Sequence, residues 1–328
     1  MTEQRSEEKF TPITGTVMPR YAGLATFMRL PYFPLAQASL DEVDIALVGI
    51  PWDGGTTNRP GARHGPRQVR DISTQVRNVN RASGINPFRL CNCADFGDAP
   101  VNPVDLMDTL QRVEGFFEKL CQAGIAPLSA GGDHLVTLPI MRALAKDGPI
   151  GMVHFDAHTD TWDRYFGDCK YTHGTPFRRA IEEGLLDPKR TIQIGIRGAL
   201  YSDGEDTWGQ EQGIRVIDID EFHELGIAKV CEEIRRVAGA GATYVSFDVD
   251  ALDPVYAPGT GTPEIGGLTT IEAQRMIRSL EGLNLIGADV VEVSPPFDPS
   301  GNTALVAATL MFEILCVLAK SLHTKGKK

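Results

Sequence analysis

Two stretches of this chain place Asp and His at every second position directly after an apolar run. The first is GPIGMVHFDAHTD (148–160), carrying Asp156, His158 and Asp160; the second is ATYVSFDVDALDP (242–254), carrying Asp248 and Asp250. Alternation of period two puts these side chains on one face of an extended segment. The uninterrupted apolar run before each reads as a strand buried on both faces, the mark of a parallel sheet covered by helices. Each run therefore predicts a buried strand with carboxylates at its exit. Two like unit charges about 4 Å apart repel by about 4 kcal/mol at an effective dielectric of 20. Buried charge needs a partner, so four aspartates meeting at one place require a cation. A divalent-metal site, with two ions, is the economical expectation.

The rest of the chain fits that frame. Further strand-like runs occur at DIALVGI, IAPLSA, TIQIGI, GIRVID and LIGADVVEV, with a weaker one at RLCNCADF. Between them lie amphipathic helical stretches: PVDLMDTLQRVEGFFEKLCQAG, with Leu106, Leu110, Val113, Phe117 and Leu120 on one face, then DHLVTLPIMRALAK, FHELGIAKVCEEIRRVAG, TIEAQRMIRSL and ALVAATLMFEILCVLAKSL. Strand–helix alternation predicts an α/β fold, a three-layer α/β/α arrangement with a mostly parallel sheet of about eight strands. Residues 1–40, rich in Pro and aromatics, read as an N-terminal arm, and 41–328 as a single catalytic domain. Ligands of such sheets bind beyond the carboxyl ends of the strands, where the Asp-rich segments fall.

Composition narrows the class. The formal charge of −11, from 32 Lys and Arg against 43 Asp and Glu, comes with no basic stripe and argues against nucleic acid. The six cysteines are scattered, without the paired spacing of a structural zinc site, and fit free thiols in a reducing compartment. The N-terminus has no apolar signal-like run, and no run is read as approaching the roughly 18 residues of a membrane span. A cytoplasmic protein without a membrane partner is expected.

A third segment, GGDH (131–134), follows the strand IAPLSA and adds His134 if the three strand ends converge. A mixed imidazole and carboxylate set suits Mn, Fe, Ni, Co or Zn, and its oxygen-rich balance leans to Mn. His154 shares the alternation with Asp156, so spacing leaves two roles open to it, a ligand or a residue that orients one.

GGDH, DAHTD and SFDVDALDP, followed by APGTGTPEIGGLT and EVSPPFD, resemble the arginase/agmatinase ureohydrolases over roughly residues 18–318. The resemblance implies hydrolysis of a guanidino group to urea and an amine at a binuclear centre, usually of manganese, in a homo-oligomer, a trimer or hexamer. It implies that His134 and Asp160 bind one ion, His158 and Asp250 the other, and that Asp156 and Asp248 bridge them. His173, in YTHGTPFRRA, matches the family's proton-shuttling histidine, and Glu292 the carboxylate that pairs with the guanidinium; with Asp160 they are the catalytic candidates. The chemistry agrees. A guanidinium is a poor electrophile, a carboxylate holds its planar fork of donors bidentately, and the departing amine needs a proton that histidine can give.

Within the family the chain is most similar to bacterial guanidinopropionases and guanidinobutyrases, in VGIPWDGGTTNRPGARHGP, GDAPVNP, RYFGD and YTHGTPFRRAIEEGLLDP. A guanidinoalkanoate such as 3-guanidinopropionate is the expected substrate. Trp162, Arg164 and Tyr165 are candidates to contact its tail, and Arg164, Arg59 or Arg63 to pair with its carboxylate. One position departs from the pattern: after DAHTDT the family carries a small polar residue, and here it is Trp162. A Trp facing the substrate favours a shorter or apolar one (guanidine, an N-methylated guanidine or a biguanide such as metformin), and with it Ni2+ in place of Mn2+. Two other readings compete. A one-zinc amidohydrolase of related fold is opposed by the four-Asp, two-His set, and a non-catalytic subunit of a mixed oligomer by the completeness of that set.

Overall fold

The structure is a computed structural model, and it describes residues 9–36, 40–202, 204 and 206–326. Its centre is one sheet of eight strands: β1 (Ile45–Gly49), β2 (Cys93–Asp98), β3 (Ala126–Ala130), β4 (Ile150–Phe155), β5 (Leu186–Ile196), β6 (Arg215–Asp218), β7 (Thr243–Asp248) and β8 (Leu285–Val291). They lie in the order β2-β1-β3-β8-β7-β4-β5-β6, every pair parallel. All eight runs expected from the sequence are strands, and the sheet is wholly rather than mostly parallel. β1, β3 and β4 are buried along their whole length and apolar but for Ser129 and His154, because helices cover both faces.

Among the described residues eight α-helices do the covering: α1 (Gly65–Ser73), α2 (Leu106–Gln122), α3 (Thr137–Leu144), α4 (Pro176–Glu182), α5 (Trp208–Gln212), α6 (Ile219–Ala238), α7 (Thr270–Ser279) and α8 (Asn302–Gly326). One core forms where Val69 of α1, Phe222 and Ile234 of α6, Met276 of α7 and Met311 of α8 meet the sheet. The other forms where Leu110, Val113 and Phe117 of α2, Met141 of α3 and Phe177 of α4 meet the opposite face. The result is the expected three layers. Caps mark the helix starts: Asp105 accepts from the Asp108 amide at α2, and Thr269 with Glu272 forms a reciprocal capping box at α7. Gly226, at φ 73°, breaks α6 into two segments, a kink that the amphipathic pattern alone does not announce.

Two expectations need amendment. The stretches 65–73, 176–182 and 208–212 are helical although no apolar period singled them out; α1 and α4 are short and carry Pro in their first turn, where the missing N–H costs nothing. Second, α8 holds a stretch long and apolar enough to cross a membrane, with a mean hydropathy of 2.0, and 72% of that stretch is buried inside the protein. It is apolar all round because the sheet on one side and α1 and α7 on the other enclose it. The described part of the arm is docked: Phe27, Met28 and Leu30 join one core, and Phe10 joins the other, edge-on to Phe33. Asp95 of β2 ties it down by accepting the Phe27 amide at 2.8 Å while paired with Arg70.

The order of strands decides where the chemistry sits. β3, β8, β7 and β4 are neighbours at the centre, so the turns after them (GGDH, VEVSPP, DVDALDP and DAHTD) emerge side by side. The closest fit is at Gly132, where a Cβ would lie 1.6 Å from the Trp52 carbonyl oxygen. Gly132→Ala is therefore expected to destabilise the protein toward the upper end of the roughly 1–3 kcal/mol of an overpacked core position, read as a lower urea midpoint. An unchanged midpoint would show that this turn can relax.

Candidate metal centre and catalytic cavity

His134 opens the short helical turn before α3, and its ring is buried. Its Nδ1 lies 2.9 Å from Asp160 Oδ2, 3.1 Å from Asp156 Oδ2 and 3.3 Å from Asp248 Oδ2. That nitrogen forms no directed hydrogen bond: it faces the space between three carboxylates instead of any one of them. His158 is arranged likewise on the other side, with Nδ1 3.1 Å from Asp250 Oδ2 and 3.4 Å from Asp156 Oδ1. Asp156 thus turns one oxygen to each histidine. Backbone amides fix the carboxylates: His158 N donates to Asp156 Oδ1, Ala157 N to Asp250 Oδ1 and Asp250 N to Asp248 Oδ1, at 2.7 to 3.0 Å.

The electrostatics are those of a cation site. Burial and then the neighbouring aspartates push Asp248 well above the ordinary carboxylate range and Asp250 up to about 6. Burial would raise Asp156 too, but the surrounding imidazoles outweigh it and hold Asp156 well below that range. Divalent cations between these groups would relieve the repulsion, and the orphaned Nδ1 of His134 supplies a lone pair with no other use. The donor set therefore fits two ions. His154 also touches the cluster, with Nε2 2.8 Å from Asp156 Oδ2. Its Nδ1, however, accepts from Gln193 Nε2 at 3.0 Å, and the same amide nitrogen donates to the Thr159 carbonyl. That leaves the proton on Nε2, so His154 donates to Asp156, the arrangement of an orienting residue.

Glu292, just past β8, sits at φ 65°, and Asp160 at φ 52°; left-handed conformations at non-glycine residues cost of order ~1–3 kcal/mol and collect at functional sites. Glu292 Oε1 accepts from the His134 amide at 2.9 Å and from His173 Nδ1 at 2.8 Å. Its Oε2 is buried without a partner. Burial opposes charge on His173, but Glu292 outweighs it and raises the imidazole to about 9. The Thr57 amide hydrogen points at His173 Nε2 from 3.1 Å, so charging the ring breaks that contact; the Thr57 hydroxyl, 2.7 Å away, can then accept the new N–H.

The cluster opens into a cavity of about 460 Å³, lined among others by His158, Asp160, His173, Asp248 and Asp250, with Trp162, Tyr165 and Tyr201 on its wall. The Trp162 ring lies 5.7 Å from that of Tyr165 and 6.3 Å from that of Tyr201. Glu292 lies behind His173 and not on the wall itself. Arg164, expected at the substrate tail, is not there: it is exposed on the surface and paired with Asp163 and Asp168. Arg63 is likewise occupied, by Asp53. Arg59 does line the cavity, but its guanidinium donates to the Gly261 and Thr260 carbonyls and stacks over Phe297. Sequence reasoning missed Thr57, Thr262, Glu264 and Tyr201, which reach the cavity from loops without a periodic signal. It also passed over Asp133, inside the GGDH motif itself. Burial and then Glu292 push Asp133 up to about 7, and it accepts the Gly55 amide that carries the Thr57 loop.

Residues 43–317 match the Arginase family. The chain belongs to that family, and it is an amidinohydrolase, a binuclear divalent-metal hydrolase that cleaves a guanidino compound to urea and an amine. Among its relatives, a guanidinopropionase of Pseudomonas aeruginosa is 63% identical over 310 residues, spanning 94% of this chain and 96% of its own length. A guanidinobutyrase of the same bacterium is 48% identical, again over 94% and 96%. Of solved structures, the proclavaminate amidino hydrolase from Streptomyces clavuligerus superposes with a TM-score of 0.87 at 40% identity, covering 92% of this chain and 99% of that one.

A ligand that binds only the folded state stabilises it by about 2.7 kcal/mol at 100 times its Kd. Chelator-stripped protein is therefore expected to melt at a lower temperature than protein given graded Mn2+, with a midpoint that climbs with metal concentration in scanning calorimetry. A midpoint indifferent to chelator and metal would contradict the cation site.

Proposed function

We propose that the protein hydrolyses 3-guanidinopropionate or a closely related guanidinoalkanoate at a site holding two Mn2+ ions, in a homo-oligomer, a trimer or hexamer. The reaction adds the oxygen of water to the guanidino carbon, breaks the bond to the chain nitrogen and leaves both protons of that water on the departing amine. The reading of the reaction is carried by one arrangement: an unpartnered, buried Glu292 oxygen beside His173, behind a six-ligand Asp/His cluster. In it His134 and Asp160 would hold one ion and His158 and Asp250 the other, with Asp156, which turns an oxygen to each of these histidines, and Asp248 shared between them. When bound, such an ion pair lowers the pKa of water and clamps the reacting centre. Glu292 offers its free oxygen to the N–H donors of the guanidinium and orients its carbon. His173, tied to Glu292 through Nδ1, exchanges a proton at Nε2, on the cavity side, with the Thr57 hydroxyl as the first acceptor. The oxygen-rich donor set favours Mn2+, with Ni2+ as the alternative.

The alkanoate assignment is supported by the guanidinopropionase likeness. A second reading rests on Trp162. It stands on the cavity wall with Tyr165 and Tyr201, and Arg59, the one Arg or Lys among the described lining residues, already spends its donors on carbonyls. Such a wall suits a small or N-alkylated guanidine, whose cation can rest on aromatic faces. Urea release from guanidine, methylguanidine, metformin, 3-guanidinopropionate, 4-guanidinobutyrate, agmatine and arginine, with Mn2+ and Ni2+ in parallel, separates the two readings; activity confined to arginine would sink both.

Trp162→Asn is expected to raise kcat/KM for carboxylate-tailed substrates relative to small guanidines, and a constant ratio would remove Trp162 from substrate selection. Glu292→Gln is expected to keep both ions and to lose on the order of 10²–10³ in kcat, the scale of a removed electrostatic partner of the reacting group. Near-normal turnover would take Glu292 out of guanidinium binding.

A further inference from the structure

The sheet register places five polar residues in one row, a layer beneath the metal cluster. Ser129 of β3 pairs with Asp289 of β8, Asp289 with Ser246 of β7, Ser246 with His154 of β4, and His154 with Gln193 of β5. All five are fully buried. Residues two positions further along β7 and past β4 are Asp248 and Asp156, on the same side of the sheet as Ser246 and His154. In the middle of a sheet otherwise packed with Val, Ile and Phe, a polar row is costly unless each member is partnered.

Four of the five are partnered, the Ser129 hydroxyl alone having no hydrogen bond; their partners form two arms, and each ends on a proposed metal ligand. One runs from Gln193 through His154 to Asp156, as described above. The other starts at Asp289. Its carboxylate takes three hydroxyl donors, Ser246 at 2.7 Å on Oδ1 and Thr137 at 2.7 Å and Tyr244 at 2.9 Å on Oδ2. Because the Ser246 hydrogen goes to Asp289, the Ser246 oxygen presents only lone pairs to His134 Nε2, 2.8 Å away. The His134 proton must then sit on Nε2. That fixes the tautomer and turns a bare Nδ1 toward the three carboxylates. A carboxylate behind a metal-ligating imidazole makes it a better donor; here a serine hydroxyl is interposed between the two.

We propose that Asp289 and Ser246 are positioning residues that set the metal affinity of the His134 side of the centre by locking His134 as its Nε2–H tautomer. The proposal rests on the reading of His134 as a metal ligand. It also makes the two sides unlike, since His158 Nε2 is paired, among the described residues, with Glu264 at 3.7 Å, where both side chains are partly in solvent.

The test is direct metal binding to stripped full-length protein, by equilibrium dialysis against graded Mn2+ with bound metal measured by mass spectrometry. Wild type is expected to bind two ions. Ser246→Ala and Asp289→Asn are each expected to weaken one ion by 10- to 100-fold, the scale of lost outer partners of a metal ligand, and to leave the other unchanged. Ser246→Thr, which keeps the hydroxyl, is expected to restore wild-type binding. Asp289→Asn preserves side-chain volume and reads the same link should Ser246→Ala not fold. Tyr244→Phe removes a donor from the Asp289 oxygen that does not face Ser246, and is expected to lower the melting temperature of the stripped protein while keeping both affinities. Wild-type affinities in Ser246→Ala and Asp289→Asn would overturn the proposal, as would an equal loss in Tyr244→Phe, which would mark the effect as general loosening. His134→Ala separates this failure from that of the ligand reading: two ions retained there would mean that His134 binds none.

Discussion

The rest of this molecule is arranged around a concentration of buried negative charge. Asp156, Asp160, Asp248 and Asp250 converge at the carboxyl edge of the sheet, with Asp133 and Glu292 close behind. Among the described residues no lysine or arginine forms an ion pair with these four aspartates; Arg197, whose field reaches Asp250 and Asp156, spends its donors on six carbonyls, those of Gly195, Asp250, Ala251, Leu252, Glu264 and Ile265. Two imidazoles and a ring of backbone amides soften the repulsion without cancelling it. A fold with this edge is complete only with divalent cations, so the stability of the site and its chemistry come from the same ions.

The charge requirement explains the backbone. Parallel strands deliver their exits side by side, but exits alone give positions, not aim. Asp160 and Glu292 reach their places through left-handed conformations that most L-residues avoid. Asp tolerates such a conformation better than Glu, so Glu292 is the more telling of the two. Its strain is held by two contacts at its one paired oxygen, the His134 amide and His173, while its own amide is fixed by the Gly132 carbonyl. Gly132 in turn can lie against Trp52 only because it lacks a side chain. The glycine in GGDH is thus a geometric condition for placing Glu292, some 160 residues later in the chain.

Much of this was legible in the sequence, for specific reasons. β4 and β7 could be read because a strand buried on both faces must be apolar, and its exit residues must alternate. Convergence of His134 with the two Asp motifs needed the strand order, which no local pattern encodes: β3 and β4 are neighbours in the chain, yet β8 and β7 lie between them. Arg164 was misplaced because a charge near a motif says nothing about direction, and Asp163 and Asp168 claim it. Ser246 was visible in principle, two residues before Asp248 in the alternation, but serine in a strand carries no chemical signal until its neighbour Asp289 is known. The helical character of α8 was read and its full apolar length was not, because enclosure by sheet and helices, not periodicity, is what permits it.

Reaction and substrate choice are built from different material. The Asp/His cluster and Glu292 stand on strand ends and the turns directly after them, and His173 on the loop just before α4, cross-braced by buried hydrogen bonds. The cavity wall is made of loop residues: Thr57, Asn58 and Arg59 on one side, Trp162 and Tyr165 on another, Tyr201 on a third. Loops held only at their ends tolerate substitution, so one metal edge can serve guanidino compounds with different tails. In this chain the Thr57 loop belongs to both layers. Asp53 and Asp133 pin it through the Gly61 and Gly55 amides, Thr57 touches the His173 imidazole, and Arg59, two residues on, lines the cavity. A substitution near residue 59 that shifts this loop would therefore alter kcat through His173 as well as KM, whereas a change of side chain at Trp162, whose ring packs with Tyr165 and Tyr201 while only its backbone amide meets the Gly174 carbonyl, is expected to act chiefly on substrate preference.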